Sequence, residues 1–236
     1  MTPKRSMLAH VPGLATSPAS AVADDARAAL PPEGAGSPWG GPAAKHGSLQ
    51  PAMSFAPELL LLAQGVRVAF FDVDGVLTDG GLYFTEAGET LKRFSTLDGH
   101  GLKLLQQAGI TPAVITGRDS RPLRVRLAAL GITHVHFGTE DKAPAAQRTL
   151  DQLGLAWHQA AAIGDDWPDL AVMRRCAFAC APANAHAEVR AVVHHVTQAR
   201  GGDGAARECC DLLLTAAGRY AALLHGHLLT LDGGPQ

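Results

Sequence analysis

Two carboxylates, Asp72 and Asp74, stand two positions apart in the stretch Asp-Val-Asp-Gly-Val, directly behind the apolar run of residues 66–71. Side chains at i and i+2 of an extended segment point the same way, so both acids can face one ligand or one cation. A carboxylate can attack phosphorus to give an aspartyl-phosphate, which splits one hard displacement into two easier ones. A second carboxyl two residues on can protonate the leaving oxygen and later activate water. Asp74-Gly75 taken alone is equally an Asx-type turn closing a strand, so the reading depends on partners elsewhere in the chain.

Those partners occur in order. Thr116, with Gly117 and Arg118, follows the apolar residues 111–115; Lys142 opens a helical segment; Asp165, Asp166 and Asp169 follow residues 160–163. Each has a plainer reading when taken singly, as a turn, a solvated helix lysine or a helix N-cap. Together they supply what phosphoryl transfer needs. A hard cation such as Mg²⁺ takes carboxylate, water and phosphate oxygens. The Thr116 hydroxyl and Lys142 ammonium can then offset charge on the remaining phosphate oxygens.

The elements that must position these groups alternate between strand and helix. Residues 66–71 have the near-continuous apolarity of a parallel strand covered on both faces. Two short alternating runs, 81–84 and 90–94, flank Glu86-Ala87-Gly88-Glu89 and predict a β-hairpin. Asp98 is expected to cap a helix that ends at Ala108 before Gly109. Strands at 111–116, 134–137, 160–163, 177–180 and 192–196 are separated by helices at 122–130, 143–153 and about 170–174. Such spacing implies crossover connections and a doubly wound parallel α/β sheet, whose ligands collect at the carboxyl ends of the strands.

Four segments, Asp72-Val-Asp74-Gly-Val-Leu-Thr-Asp79, Ile115-Thr116-Gly-Arg118, Lys142 and Gly164-Asp165-Asp166-Trp-Pro-Asp169, resemble the four motifs of the haloacid dehalogenase superfamily of phosphatases. The resemblance spans about residues 66–220. The hairpin at 81–94 stands where larger members insert a cap domain. Residues 201–214, with Arg207-Glu208 and Asp211, are similar to the capless subgroup that acts on keto-sugar acid phosphates.

The resemblance implies a Rossmann-like fold in which Asp72 is nucleophile and Mg²⁺ ligand. Asp74 would be the general acid/base, a substrate contact and a backbone-carbonyl ligand. Asp165 would be the further ligand, supported by Asp166 and Asp169, with Thr116 and Lys142 on the transferring phosphate. It also implies sugar-acid contacts from Ser95, Thr96, Leu97, Asp98, Gly99, Lys103, Arg118 and Arg126. The implied substrate is an eight-carbon keto-sugar acid phosphate, with a nine-carbon relative as the alternative. The implied assembly is a cytoplasmic homotetramer in which a neighbour closes the open site.

Two departures bear on the substrate: Leu97 stands where relatives often carry Arg, and Asp203 interrupts a Gly-Gly-Arg-Gly pattern, with Arg200 close enough to substitute. A non-catalytic phosphate-sensing module is the other reading, since receiver-like domains also present strand-end Asp, Thr and Lys. Asp74 favours turnover, because it can activate water against the phosphorylated intermediate.

Composition excludes other classes. A net charge of −2 and a pI near 6.6 leave no basic footprint for nucleic acid. No apolar stretch reaches the ~18 residues of a membrane helix. Four cysteines, Cys176, Cys180, Cys209 and Cys210, are too few for a disulfide scaffold in 236 residues and read as buried thiols in a reducing compartment. The eleven histidines form no metalloprotease-like pair, so zinc is not expected. Residues 1–57 carry nine prolines among Ala, Gly and Ser with no period of 2 or 3.6, which predicts a disordered extension before a phosphatase domain at 58–224 and a flexible tail at 225–236.

Overall fold

The structure is a computed structural model and describes residues 51–229. The apolar run becomes β1 (Val68–Phe71), the third strand of a six-stranded sheet. The other strands of that sheet are β4 (Thr111–Ile115), β5 (His134–His136), β6 (Ala160–Ile163), β7 (Phe178–Ala181) and β8 (His195–Val196). Their order is β5-β4-β1-β6-β7-β8, and every pairing is parallel. The chain leaves β1 toward β4 and β5 and later returns to β1's other side as β6. That reversal makes the carboxyl end of β1 the topological switch point, where a crevice must open.

Alternate β1 residues serve two cores. Ala69 and Phe71 pack with α2 (Thr96–Gln107), α3 (Arg121–Leu130) and α7 (Ala205–Ala216) on one face. Val68 and Phe70 pack with α4 (Lys142–Leu153), α5 (Leu170–Met173) and Val189 of α6 (Ala187–Arg190) on the other. β6 reads Ala-Ala-Ala-Ile and is wholly buried, so small side chains let the helices approach the sheet closely there. Full burial of a Phe or Leu contributes about 1.5–3 kcal/mol each, and Phe71, Phe178, Leu102, Leu105, Leu212 and Leu213 are all inaccessible.

The hairpin forms as β2 (Tyr83–Thr85) and β3 (Gly88–Leu91), a separate antiparallel ribbon whose β2 is exposed throughout. A two-stranded ribbon is marginal by itself, so its seat depends on ties to the body.

Two readings are revised. Asp98 does not cap its own helix. Ser95 holds the N-cap position of α2, and Asp98, inside the first turn, accepts the Arg207 backbone N–H at 2.8 Å. It thereby serves α7, whose own N-cap is Gly204 and has no side chain to offer. Residues 205–216, which carry no strand or helix assignment in the sequence reading, form α7, the helix that packs most closely on α2. Near the expected boundary at residue 57 the chain is already in contact with the body. α1 (Pro57–Ala63) begins there, but Phe55 already packs on the core and meets the His195 ring edge-on at 6.2 Å.

At the other end, α8 (Tyr220–Leu229) continues as helix past residue 225. Residues 1–50 and 230–236 of the two expected flexible segments lie outside the described residues. Among the described residues no helix is long and apolar enough to cross a membrane, and all four cysteines are free and buried.

Truncation separates the two parts of the expected extension. Removing residues 2–50, a Pro/Ala/Gly-rich stretch without apolar periodicity, should leave Tm unchanged by calorimetry. Removing residues 2–57 also deletes Phe55 and should lower Tm by about 2–6 °C, the effect of one or two kcal/mol on a domain of this size.

Candidate active site

Asp72 is the first residue beyond β1, and its amide donates to the Ile163 carbonyl, which extends the ladder and fixes where its carboxyl points. The backbone then turns through Gly75 at φ +93°, and a Cβ there would sit 2.0 Å from Asp165 Oδ2. Glycine is required on both counts, the left-handed conformation and the close approach of Asp165. Gly201 closes the loop from the other side, where a Cβ would meet the Gly75 carbonyl oxygen at 1.7 Å. The loop around it is held by Gly202 N–H to the Val76 carbonyl and Gly201 N–H to Asn184 Oδ1.

Lys142 begins α4 and buries its ammonium between two acids, donating to Asp72 Oδ1 at 2.5 Å and Asp169 Oδ1 at 2.6 Å. Asp169 uses its other oxygen to accept the backbone N–H groups of Asp165 and Asp166 at 3.1 and 3.3 Å. Asp166 is exposed and caps the short turn Trp167–Asp169. Thr116 is buried at the end of β4, and its hydroxyl accepts the Arg118 amide. Asp72, Asp74, Thr116, Arg118, Lys142 and Asp165 therefore meet in one open cleft of about 500 Å³, together with Glu140 and Asp169.

Burial pushes the Asp72 carboxyl up to about 7; the Asp169 carboxylate adds to the rise and Lys142 opposes it. Asp165 is also raised to about 7, by burial first and then by Asp72 and Asp169. Burial works against the Lys142 charge, but the two carboxylates outweigh it and raise its pKa. Carboxylate oxygens of Asp72, Asp165 and Asp169 lie within 4.8 Å of one another. With all three acids ionised, the one ammonium would leave two negative charges uncompensated at this end of the cleft. An all-oxygen donor set with that deficit fits a hard divalent cation. The Asp74 side chain is outside this cluster and hydrogen-bonds Lys92.

The expected sugar-contacting residues are not together. Arg118 is on the cleft rim, its Nε 3.6 Å from Asp74 Oδ2 and its side chain 46% exposed. Ser95, Asp98, Gly99 and Arg126 instead surround a water-sized cavity behind the hairpin, where Arg126 donates to the Ser95 carbonyl and lies over the Phe94 ring. Thr96, Leu97 and Lys103 are exposed on α2, away from the cleft lining. Asp203 pairs with Arg93 at 2.6 Å, so the acid that interrupts the basic pattern is neutralised from within the chain. Lys92 and Glu89 escaped the sequence reading, because charges on an edge hairpin ordinarily read as solvated.

A parallel sheet with these acids at its switch point and a hairpin in place of a cap is the architecture of a haloacid dehalogenase-like hydrolase. Residues 132–208 match the family model of that description. The 3-deoxy-D-manno-octulosonate 8-phosphate phosphatase KdsC of Salmonella typhimurium is 39% identical over 164 residues, covering 70% of this chain and 87% of that protein. A solved structure of a probable YrbI-family phosphatase from Pseudomonas syringae pv. phaseolica has a TM-score of 0.72 at 45% identity, covering 76% of this chain and 100% of that one. The 3-deoxy-D-manno-octulosonate 8-phosphate phosphatase of Moraxella catarrhalis, solved with magnesium, phosphate and KDO, has a TM-score of 0.70 at 37% identity, covering 72% and 98%. The chain belongs to the family of 3-deoxy-D-manno-octulosonate 8-phosphate phosphatases.

The buried carboxyl of Asp98 provides a test away from the cation cluster. Burial raises it to about 6, with the Arg207 and Gly204 backbone N–H groups opposing the rise. Between the unfolded value near 3.8 and about 6 the folded state holds the extra proton, so stability falls as pH rises through that window. Asp98→Asn keeps the Oδ1 acceptor but cannot ionise. Its stability relative to wild type should therefore rise by on the order of 2–3 kcal/mol between pH 4 and pH 7.5, measured by urea unfolding. A difference independent of pH contradicts the assignment.

Proposed function

We propose that this chain is a Mg²⁺-dependent phosphomonoesterase that hydrolyses 3-deoxy-D-manno-octulosonate 8-phosphate to the free sugar acid and phosphate. The observation that carries this is the Lys142 ammonium held between Asp72 and Asp169 beside Asp165, at the end of β1. Lys142 occupies Asp72 Oδ1 and leaves Oδ2 as the attacking oxygen. An ammonium has three donors; two are spent on the acids, and the third is available to a phosphate oxygen, as is the Thr116 hydroxyl. Asp72 attacks phosphorus, the bond to the leaving oxygen breaks, and that oxygen takes the Asp74 proton. Asp74, now a carboxylate, removes a proton from water as it attacks the aspartyl-phosphate, which restores Asp72. Mg²⁺, held by Asp72, Asp165 and the Asp74 carbonyl, would neutralise the excess carboxylate charge and draw the phosphate toward Asp72.

The keto-acid part of the substrate carries a carboxylate, and Arg118 on the rim is the cation in this chain best placed to pair with it. Arg126 is engaged with Ser95, so its influence on substrate runs through the 95–99 turn. A homotetramer completes the reading. Leu82, Tyr83, Phe84 and Leu91 are all exposed on the hairpin, with Leu97 and Val125 beyond it, an apolar display that a neighbouring copy would cover. Four buried thiols without a disulfide accord with a cytoplasmic location.

Phosphate release from a panel of sugar phosphates with Mg²⁺ tests the assignment, and hydrolysis of simple hexose phosphates in preference to keto-sugar acid phosphates would remove the octulosonate substrate. Asp72→Asn should cut turnover by several orders of magnitude while the fold persists by circular dichroism. Chelation should abolish activity, and Mg²⁺ should restore it better than Ca²⁺, whose longer bonds and larger ligand number misplace the phosphate. Arg118→Lys should raise KM for the sugar-acid phosphate by roughly tenfold while sparing aryl phosphates, because a point charge replaces a bidentate fork. Size-exclusion with light scattering should give four copies per particle.

A further inference from the structure

The hairpin reaches the reaction site through a charged side chain. Lys92, the residue after β3, has no solvent exposure at its side chain; its ammonium hydrogen-bonds Asp74 Oδ1 and is ion-paired with Glu89 Oε1 at 2.6 Å. In a regular strand, residues three apart point to opposite faces. β3 stops at Leu91, and the departure from strand geometry brings Glu89 and Lys92 to one point.

A buried ammonium stripped of its partner is strongly destabilising. With two carboxylates around it, Lys92 keeps Glu89 as partner when Asp74 carries a proton or turns toward substrate. Lys92 is absent from the cleft lining and lines instead the groove behind the hairpin, with Glu89, Phe94 and Arg126. Lys92 therefore contacts one Asp74 carboxylate oxygen from outside the cleft lining, while Arg118 approaches the other from the rim at 3.6 Å.

We propose that Lys92 is a positioning residue for proton delivery: clamped by Glu89, it sets the direction of the Asp74 carboxyl and makes protonation of the leaving oxygen depend on the hairpin being seated. The inference rests on the phosphatase reading and on Asp74 as its general acid. In the step concerned, the bond from Asp72 to phosphorus forms, the bond from phosphorus to the leaving oxygen breaks, and that oxygen takes the Asp74 proton; Lys92 exchanges none. Glu89 balances the Lys92 charge while Asp74 is neutral.

The test is how kcat/KM depends on leaving-group acidity across substituted phenyl phosphates of similar size, using the full chain with Mg²⁺. The wild type should show a shallow dependence, because the leaving oxygen is protonated as it departs. Lys92→Met should lose roughly tenfold or more for the least acidic phenol and less than about threefold for 4-nitrophenol, since general acid catalysis supplies about 10²–10⁴ only where the leaving group is poor. Lys92→Arg should restore the shallow dependence. The double variant Lys92→Met/Glu89→Gln, which leaves no facing carboxylates behind the hairpin, should steepen the dependence as Lys92→Met does and covers the case in which the single variant does not fold. An equal loss across the series, or a Lys92→Arg dependence as steep as that of Lys92→Met, overturns the proposal. A wild type inactive both on the whole series and on 3-deoxy-D-manno-octulosonate 8-phosphate overturns the phosphatase reading as well, whereas an active wild type with parallel losses overturns this inference alone.

Discussion

A single ammonium, that of Lys142, is shared by Asp72 and Asp169, buried at the end of β1, and the rest of the site is arranged around it. Burial raises Asp72 and Asp165 to about 7, and the Lys142 ammonium opposes the rise at both. Lys142 holds the acids in place without neutralising them. The residual negative charge attracts a cation, and the cation in turn favours a phosphate. Attack by one carboxylate on a dianion requires this compensation, because two like charges must otherwise approach in a low-dielectric cleft.

The sheet topology places that cluster, and glycines allow it to close. Asp72, Thr116 and Asp165 come from loops after β1, β4 and β6, three neighbouring strands whose parallel register aligns their carboxyl ends. Asp165 can then approach the Asp72 loop only because Gly75 carries no side chain. The other end of the structure is fastened by a different acid. Asp98 on α2 caps α7, and this joins the first turn of α2 to the loop that seats on Gly75 through Gly201. Displacement of α7 would therefore be felt at the Asp loop through packed backbone.

Charge has been redistributed around the hairpin relative to the pattern implied by the family resemblance. Asp203 stands where a base is expected, and Arg93 at the end of the hairpin pairs with it and lies 3.7 Å from Asp79. Both side chains are about half exposed, so the pair adds little stability. Its consequence is positional: together with the buried Lys92 contact, it fastens a ribbon that would be marginal alone. Arg118 stays on the cleft rim, and the loop at 200–204 supports the Asp loop from its own chain.

The spacing of Asp72 and Asp74 behind an apolar strand, the strand-end Thr116 and the triplet Asp165, Asp166 and Asp169 were legible in the amino-acid sequence, as was the doubly wound sheet. Strand periodicity and loop chemistry are local properties, and the carboxyl ends of parallel strands gather ligands whichever helices cover them. The sequence also suggested that Lys142 belonged with the acids, but only the tertiary structure showed one ammonium serving two of them. It alone decided that Asp98 serves α7, that Phe55 belongs to the body, that Arg126 turns inward to Ser95, and that Lys92 and Glu89 are buried against Asp74. Each of these depends on contacts between residues far apart in the chain, or on β3 ending at Leu91, short of the run to residue 94. A charged side chain reads as solvated until its distant partner and its burial are known, because the desolvation that makes it significant is a property of the packed fold.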